Sequence, residues 1–167
     1  NTGNTVLVGK SAGQAINSDS ANYTIAVGFK ALENLTNGAG NIAIGGVTQK
    51  GITTGDHNIA IGYLAMTDFD AGVNSANSSG NIAIGTSAMG GTVANTASND
   101  NIAIGRNTMA AALDGALYNI AIGVTSLNDL TTGDKNVSIG NNSLQKLTTG
   151  EGNVCLLYTS DSADEGW

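Results

Sequence analysis

Residues 119–152 read "NIAIGVTSLNDLTTGDKNVSIGNNSLQKLTTGEG", and they say nearly the same thing twice, seventeen residues apart. Each copy opens on Asn-apolar-small-apolar-Gly. A small residue and a larger apolar one follow, then a further apolar group, then Thr-Thr-Gly. Extended along the chain, the five-residue core occurs as TVLVG at 5, TIAVG at 24, and NIAIG at 41, 58, 81, 101 and 119, with NVSIG at 136 and NVCLL at 153. The basic unit is seventeen residues, lengthened in some copies. Internal periodicity at this scale is the signature of stacked repeats.

The shared positions carry physical reasons. In NIAIG the two Ile sit at i and i+2, so they share one face of a strand while the Ala faces the other way. The Gly that follows suits a corner requiring positive φ, which marks Gly9, Gly28, Gly45, Gly62, Gly85, Gly105, Gly123 and Gly140. Ala31-Leu32, Ala65-Met66, Ala88-Met89, Thr108-Met109, Ser126-Leu127 and Ser143-Leu144 supply a second apolar set, expected as another short strand. Leu35, Ile52, Phe69, Leu130 and Leu147 follow, and turns such as Thr53-Thr54-Gly55 and Thr131-Thr132-Gly133 close the unit. Seventeen residues are too few for a helical repeat. They fit one coil of an all-β parallel solenoid, two or three short strands joined by tight corners. About eight coils at roughly 4.8 Å spacing make a rod about 38 Å long.

A lone coil cannot fold. Its four or so buried apolar side chains return roughly 6–12 kcal/mol gross, against about 17–34 kcal/mol for ordering seventeen backbones. Stacking must close that gap. Stacking also explains the Asn: Asn41, Asn58, Asn81, Asn101, Asn119, Asn136 and Asn153 fall above one another and form an amide ladder. The expected core is Ile42, Ile44, Ile59, Ile61, Ile82, Ile84, Ile102, Ile104, Ile120, Ile122, Val137 and Ile139. Ile44, Ile61, Ile84 and Ile104 are expected in one interior column, and the functional reading of the repeats depends on it.

Composition sets the limits on function. The chain has 167 residues, 24 Gly, no Pro, 11% charged residues and a formal net charge of −7. That charge argues against nucleic acid and anionic membranes as partners. One Cys (Cys155) and one His (His57) make neither an internal disulfide nor a classical zinc site. No run of eighteen apolar residues is present for membrane insertion. "GNTVLVGKS" at 3–11 has five residues between Gly3 and Gly9 where a phosphate loop has four, and its apolar strand lies inside the loop. Asp56, Asp100 and Asp134 near the turns are the candidate ion ligands, but no calcium-binding nonapeptide accompanies them, so no metal or cofactor is expected. His57 reads as an exposed corner residue. With no clustered acids and no catalytic His, a non-enzymatic role is expected. Sequons occur at Asn22, Asn34, Asn77, Asn136 and Asn141, and glycosylation stays open mainly at Asn77. The two inserts, 70–80 and 91–100, are polar and small, and Asn74, Asn77, Asn95 and Asn99 are the candidate contact residues there.

NIAIG followed by x-x-A-[LM], repeated with Thr-Thr-Gly turns over residues 4–154, resembles the YadA-like heads of trimeric autotransporter adhesins and related phage tail-fibre repeats. The resemblance implies a left-handed parallel β-roll, commonly as a homotrimer, on a cell or virion surface. It also implies attachment to a host protein or glycan without catalysis. No heptad stalk follows the repeats here. Residues 1–154 form one repeat domain, and 155–167 are a second unit: "CLLYTSDSADEGW" abandons the pattern. It reads either as an acidic cap on the last coil or as a non-native extension resembling a translated sequencing adapter. An extracellular filament of subunits stacked end to end is the alternative to the adhesive module.

Overall fold

The computed structural model describes residues 4–17, 21–69, 77–93 and 95–157. Nine three-residue strands, one per repeat, form a single parallel sheet in sequence order: β1 Val6–Val8, β2 Ile25–Val27, β3 Ile42–Ile44, β4 Ile59–Ile61, β5 Ile82–Ile84, β6 Ile102–Ile104, β7 Ile120–Ile122, β8 Val137–Ile139 and β9 Val154–Leu156. The register is uniform. Ile42 pairs with Ile59, Ala43 with Ala60 and Ile44 with Ile61, and the inserts before β5 and β6 leave that alignment intact. The chain is an all-β parallel solenoid of about eight turns. Among the described residues, no helix is long and apolar enough to cross a membrane.

The strands face the other way from expectation. In β2 to β8 the buried member is the central one: Ala26, Ala43, Ala60, Ala83, Ala103, Ala121 and Ser138 are sealed from solvent. Ile42, Ile59, Ile82, Ile102, Ile120 and Val137 are half-buried on the outer face. Ile44 (40% exposed), Ile61, Ile84, Ile122 and Ile139 lie further out, and Ile104 is half-buried. All twelve expected core residues are therefore corrected from interior to exterior. They do form two vertical columns, but on the outside of the coil.

The cause is the width of the coil. Its interior is filled from the opposite side, where Leu32, Leu35, Ile52, Met66, Phe69, Met89, Val93, Met109, Leu113, Leu127 and Leu130 are fully buried. Against those side chains only a methyl group fits on the strand side, and an inward Ile would overpack the core at a cost of ~1–3 kcal/mol. The β-branched Ile are well suited to a pleated outer surface.

The second apolar segment is a turn, not a strand. In each coil the residues two and four after the corner Gly are left-handed: Leu64 and Met66 have φ of 59° and 51°, Ser87 and Met89 55° and 48°. For side-chain-bearing residues this conformation costs roughly 1–2 kcal/mol each. Hydrogen bonding in both directions holds it. The Leu64 N–H donates back to the Gly46 carbonyl at 3.1 Å, and the Met66 N–H donates forward to Ala88 at 2.9 Å. The ladder thus continues around the corner without strand dihedrals.

The corner glycines are required twice over. All eight expected positions have φ between +125° and +138°. A Cβ on Gly62 would meet the carbonyl oxygen of Gly85, directly above it, at 2.6 Å. Gly9 belongs to this column, a Cβ there meeting the Gly28 oxygen at 2.5 Å, so "GKS" at 9–11 is an ordinary coil corner.

The Asn ladder is present. Asn101 Nδ2 donates to Asn81 Oδ1 at 3.2 Å and to the Ala116 carbonyl at 2.8 Å, and its own Oδ1 accepts from the backbone N–H and Nδ2 of Asn119. The same pattern links Asn41 to Asn58, Asn58 to Asn81, Asn119 to Asn136 and Asn136 to Asn153. Each amide is buried and doubly satisfied, except that Asn153 is only partly buried.

Candidate functional site

The outward sheet face is a continuous surface available for recognition. Its centre is the two columns of Ile and Val just described. Two rows border it. On one side lie the residues preceding the ladder position: Tyr23, Gly40, His57, Gly80, Asp100, Tyr118 and Lys135. On the other lie those following the corner Gly: Lys10, Phe29, Gly46, Tyr63, Thr86, Arg106, Val124 and Asn141. Backbone bonds hold both rows in vertical order, for example Gly80 N to Asp56 O at 3.1 Å and Ser87 N to Tyr63 O at 3.0 Å. The first row is left-handed at Tyr23, His57, Asp100, Tyr118 and Lys135, with φ of 56–60°. Side chains in the rows lean over a glycine of the preceding coil. A Cβ on Gly40 would meet the His57 ring at 2.8 Å, one on Gly46 the Tyr63 ring at 3.4 Å, and one on Gly80 the Asp100 carboxylate.

The face is aromatic as well as aliphatic. Tyr23, Phe29, Tyr63 and Tyr118 are about half or more exposed, led by Tyr23 at 68%. Its charge is opposite in sign to that of the whole chain. Of six cations, Lys10, Arg106 and Lys135 border it; of the eight acids among the described residues, Asp100 alone does. The remaining cations are paired within the chain: Lys30 with Glu33 at 3.1 Å, Lys50 with Glu33 at 3.9 Å, and Lys146 with Asp129 at 2.9 Å. Among the described residues no ion pair engages Lys10, Arg106, Lys135 or Asp100.

The acids singled out near the turns divide by role. The Asp56 carboxylate accepts the Ala39 N–H at 2.8 Å and the Asp134 carboxylate accepts that of Leu117 at 2.7 Å, each tying its coil to the one before. These are structural bonds. Asp100 is apart from both, on the face. Among the described residues no group of three or more His, Cys, Asp or Glu is placed to hold a metal. His57 is an exposed corner residue, and Cys155 is half-buried on β9.

Of the candidate contact residues, Asn77 and Asn95 are exposed. Asn99 is committed to the scaffold, its Oδ1 accepting the Ser79 N–H at 2.8 Å. Asn74 lies outside the described residues. Asp114 orders the second insert by accepting the Thr96 N–H at 2.8 Å and that of Asn95 at 3.2 Å. The Thr96 amide is the main cause holding the Asp114 carboxyl below its ordinary range, against a smaller opposing effect of desolvation.

The sequence signalled the face only through its spacing. The border rows have no common residue type, so repeat comparison passed over them. Their placement emerges from stacking, which puts Asp100 and Arg106 at one level on opposite margins. No family model, curated protein or solved structure matches the chain.

Proposed function

We propose that the chain is a non-enzymatic, extracellular structural and adhesive fibre module: a rigid rod that associates side by side and presents its insert loops for attachment. The sequence argument tied this reading to an interior Ile column, and that support is gone. The observation that carries the reading instead is the unbroken apolar sheet face from β1 to β9. A soluble monomer seldom leaves a contiguous apolar patch of more than a few hundred Å² uncovered. Nine three-residue strands at ~4.8 Å spacing and ~3.3 Å rise per residue give a face of roughly 400 Å², about half of the ~800 Å² that each partner contributes to a standard interface. The YadA-like and tail-fibre repeats resembled by the sequence are consistent with the same role.

Multi-angle light scattering combined with negative-stain microscopy tests it. Discrete bundles of parallel-sided rods are expected. A monodisperse monomer at about 100 µM, well above the range of a stable interface, would overturn the reading.

A further inference from the structure

We infer that Asn37 and Gly38 form a site of spontaneous covalent modification, at which the Gly38 main-chain nitrogen attacks the Asn37 side-chain amide and leaves aspartate or isoaspartate at position 37. The site is independent of how copies of the chain associate.

Asn37 is the one Asn in the chain followed by Gly. Each ladder Asn is followed by Ile or Val, whose branched Cβ crowds the nitrogen that would have to attack. That nitrogen is also committed, as in the Ile42 N–H to Asn58 O bond at 2.8 Å. Asn34 precedes Leu35, whose N–H is bonded to Leu32 O at 3.3 Å. Gly38 has no Cβ to crowd its nitrogen, and its N–H makes no hydrogen bond among the described residues. Asn37 is exposed, so hydroxide and water reach it. The related turns carry Thr54-Gly55, Thr132-Gly133 and Thr149-Gly150, where the side chain offers no amide to attack.

The step balances with water as the only co-reactant. Base removes the Gly38 N–H proton, the nitrogen bonds to Asn37 Cγ, and Nδ2 leaves as ammonia. Water then opens the cyclic imide. Opening at Cγ gives aspartate. Opening at the Asn37 main-chain carbonyl gives isoaspartate, whose main chain runs through Cβ and Cγ and is longer by a methylene. Either product adds a negative charge to the formal −7. The fold tolerates them unequally. Aspartate leaves the main chain unchanged and puts its charge at an exposed position. Isoaspartate lengthens the turn where there is no room, since a Cβ on Gly38 would lie 2.6 Å from Gly55 O and 3.2 Å from Asn41 Nδ2. The longer turn displaces the Gly38 carbonyl, which accepts from Asn41 Nδ2 at 3.2 Å and Thr24 Oγ1 at 3.4 Å. It also displaces the Asn37 N–H, which donates to Thr53 O at 3.2 Å. The junction between the coils of β2 and β3 is loosened in that form.

The test holds the full chain at mildly alkaline pH for weeks, beside a synthetic peptide of residues 31–50 and an Asn37→Thr variant that restores the Thr-Gly pair of the related turns. Trypsin releases 31–50 between Lys30 and Lys50, so Asn34 and Asn41 are internal controls. Mass spectrometry is expected to show the mass gain of an amide-to-acid exchange at Asn37 alone, faster as pH rises and absent from Asn37→Thr. Asn37 intact in the folded chain when the peptide has converted overturns the site. A gain shared equally by Asn34, Asn37 and Asn41 marks unfolded chain and overturns it too. The isoaspartate-rich fraction, separated by ion exchange, should melt roughly 2–8 °C below the unmodified chain through loss of one or two hydrogen bonds, while Asn37→Asp melts with the unmodified chain. An isoaspartate-rich fraction that melts with Asn37→Asp overturns the loosened junction.

Discussion

Replacing Gly62 by Ala in the middle of the stack tests the corner geometry. The residue has φ of +137°, and its new Cβ would lie 2.6 Å from the Gly85 oxygen and 2.8 Å from the Gly85 carbonyl carbon. Backbone strain in that region costs ~1–3 kcal/mol. The atoms in the way are main chain, pinned by the bonds from Gly62 N to Ile44 O at 2.9 Å and from Gly85 N to Ile61 O at 2.8 Å. Ordinary contact begins near 3.4 Å, so two coils must part by about 0.8 Å locally, weakening one or two bonds worth ~1 kcal/mol each. The total is about 2–5 kcal/mol. Gly152→Ala is the control: its φ is +67° and nothing lies within 4 Å of the new methyl, so ~1 kcal/mol is expected. At ~2–4 °C per kcal/mol for a chain of this size, Gly62→Ala lowers Tm by roughly 4–20 °C and Gly152→Ala by about 2–4 °C. Circular dichroism melts measure both, and hydrogen exchange should place the lost protection on the coils around Gly62. A Gly62→Ala melt no lower than that of Gly152→Ala would refute the claim that coil spacing forbids a side chain here.

Three further outcomes follow from the same coordinates. Ala83→Val, on the sealed side of β5, should cost ~1–3 kcal/mol in denaturant unfolding, whereas Ile84→Ser on the outer side should leave folding within about 1 kcal/mol and instead weaken self-association by sedimentation. Gln49 sits in the Leu and Met column with its Nε2 3.6 Å from Met66 Sδ and its Oε1 buried without a partner, so Gln49→Met should stabilise the chain by ~1–2 kcal/mol. The lowered Asp114 carboxyl supports the loop at 95–96 above the ordinary aspartate range and loses that support as pH falls through its depressed value. The Thr96 amide resonance should therefore titrate below an ordinary aspartate, and Asp114→Asn should abolish that titration.

The repeat made coil length, strand position, ladder and corners legible, because each is a property of recurrence. Spacing alone gives Asn101 its neighbours Asn81 and Asn119. Which strand face looks inward was not legible. Alternation in NIAIG defines two faces without saying which is enclosed, and larger residues were placed inside by default. The deciding quantity is the width left by Met89 and Val93 on the far side of the coil. The left-handed Leu and Met residues were also hidden. Their type favours helix or strand, and only hydrogen bonds to coils above and below hold Leu64 and Met66 at positive φ.

The main-chain bonds between coils all run along the rod, so a rod pulled at its ends is loaded through each coil junction in turn. Strand, corner and amide bonds at one junction share the force at the same moment and must yield together. Once they do, a released coil of seventeen residues lengthens the tether by roughly 50–55 Å, its extended reach of about 56–61 Å less the ~4.8 Å it occupied. Such a chain under flow or traction would give way in even steps, each absorbing work, while the coils still stacked keep their shape.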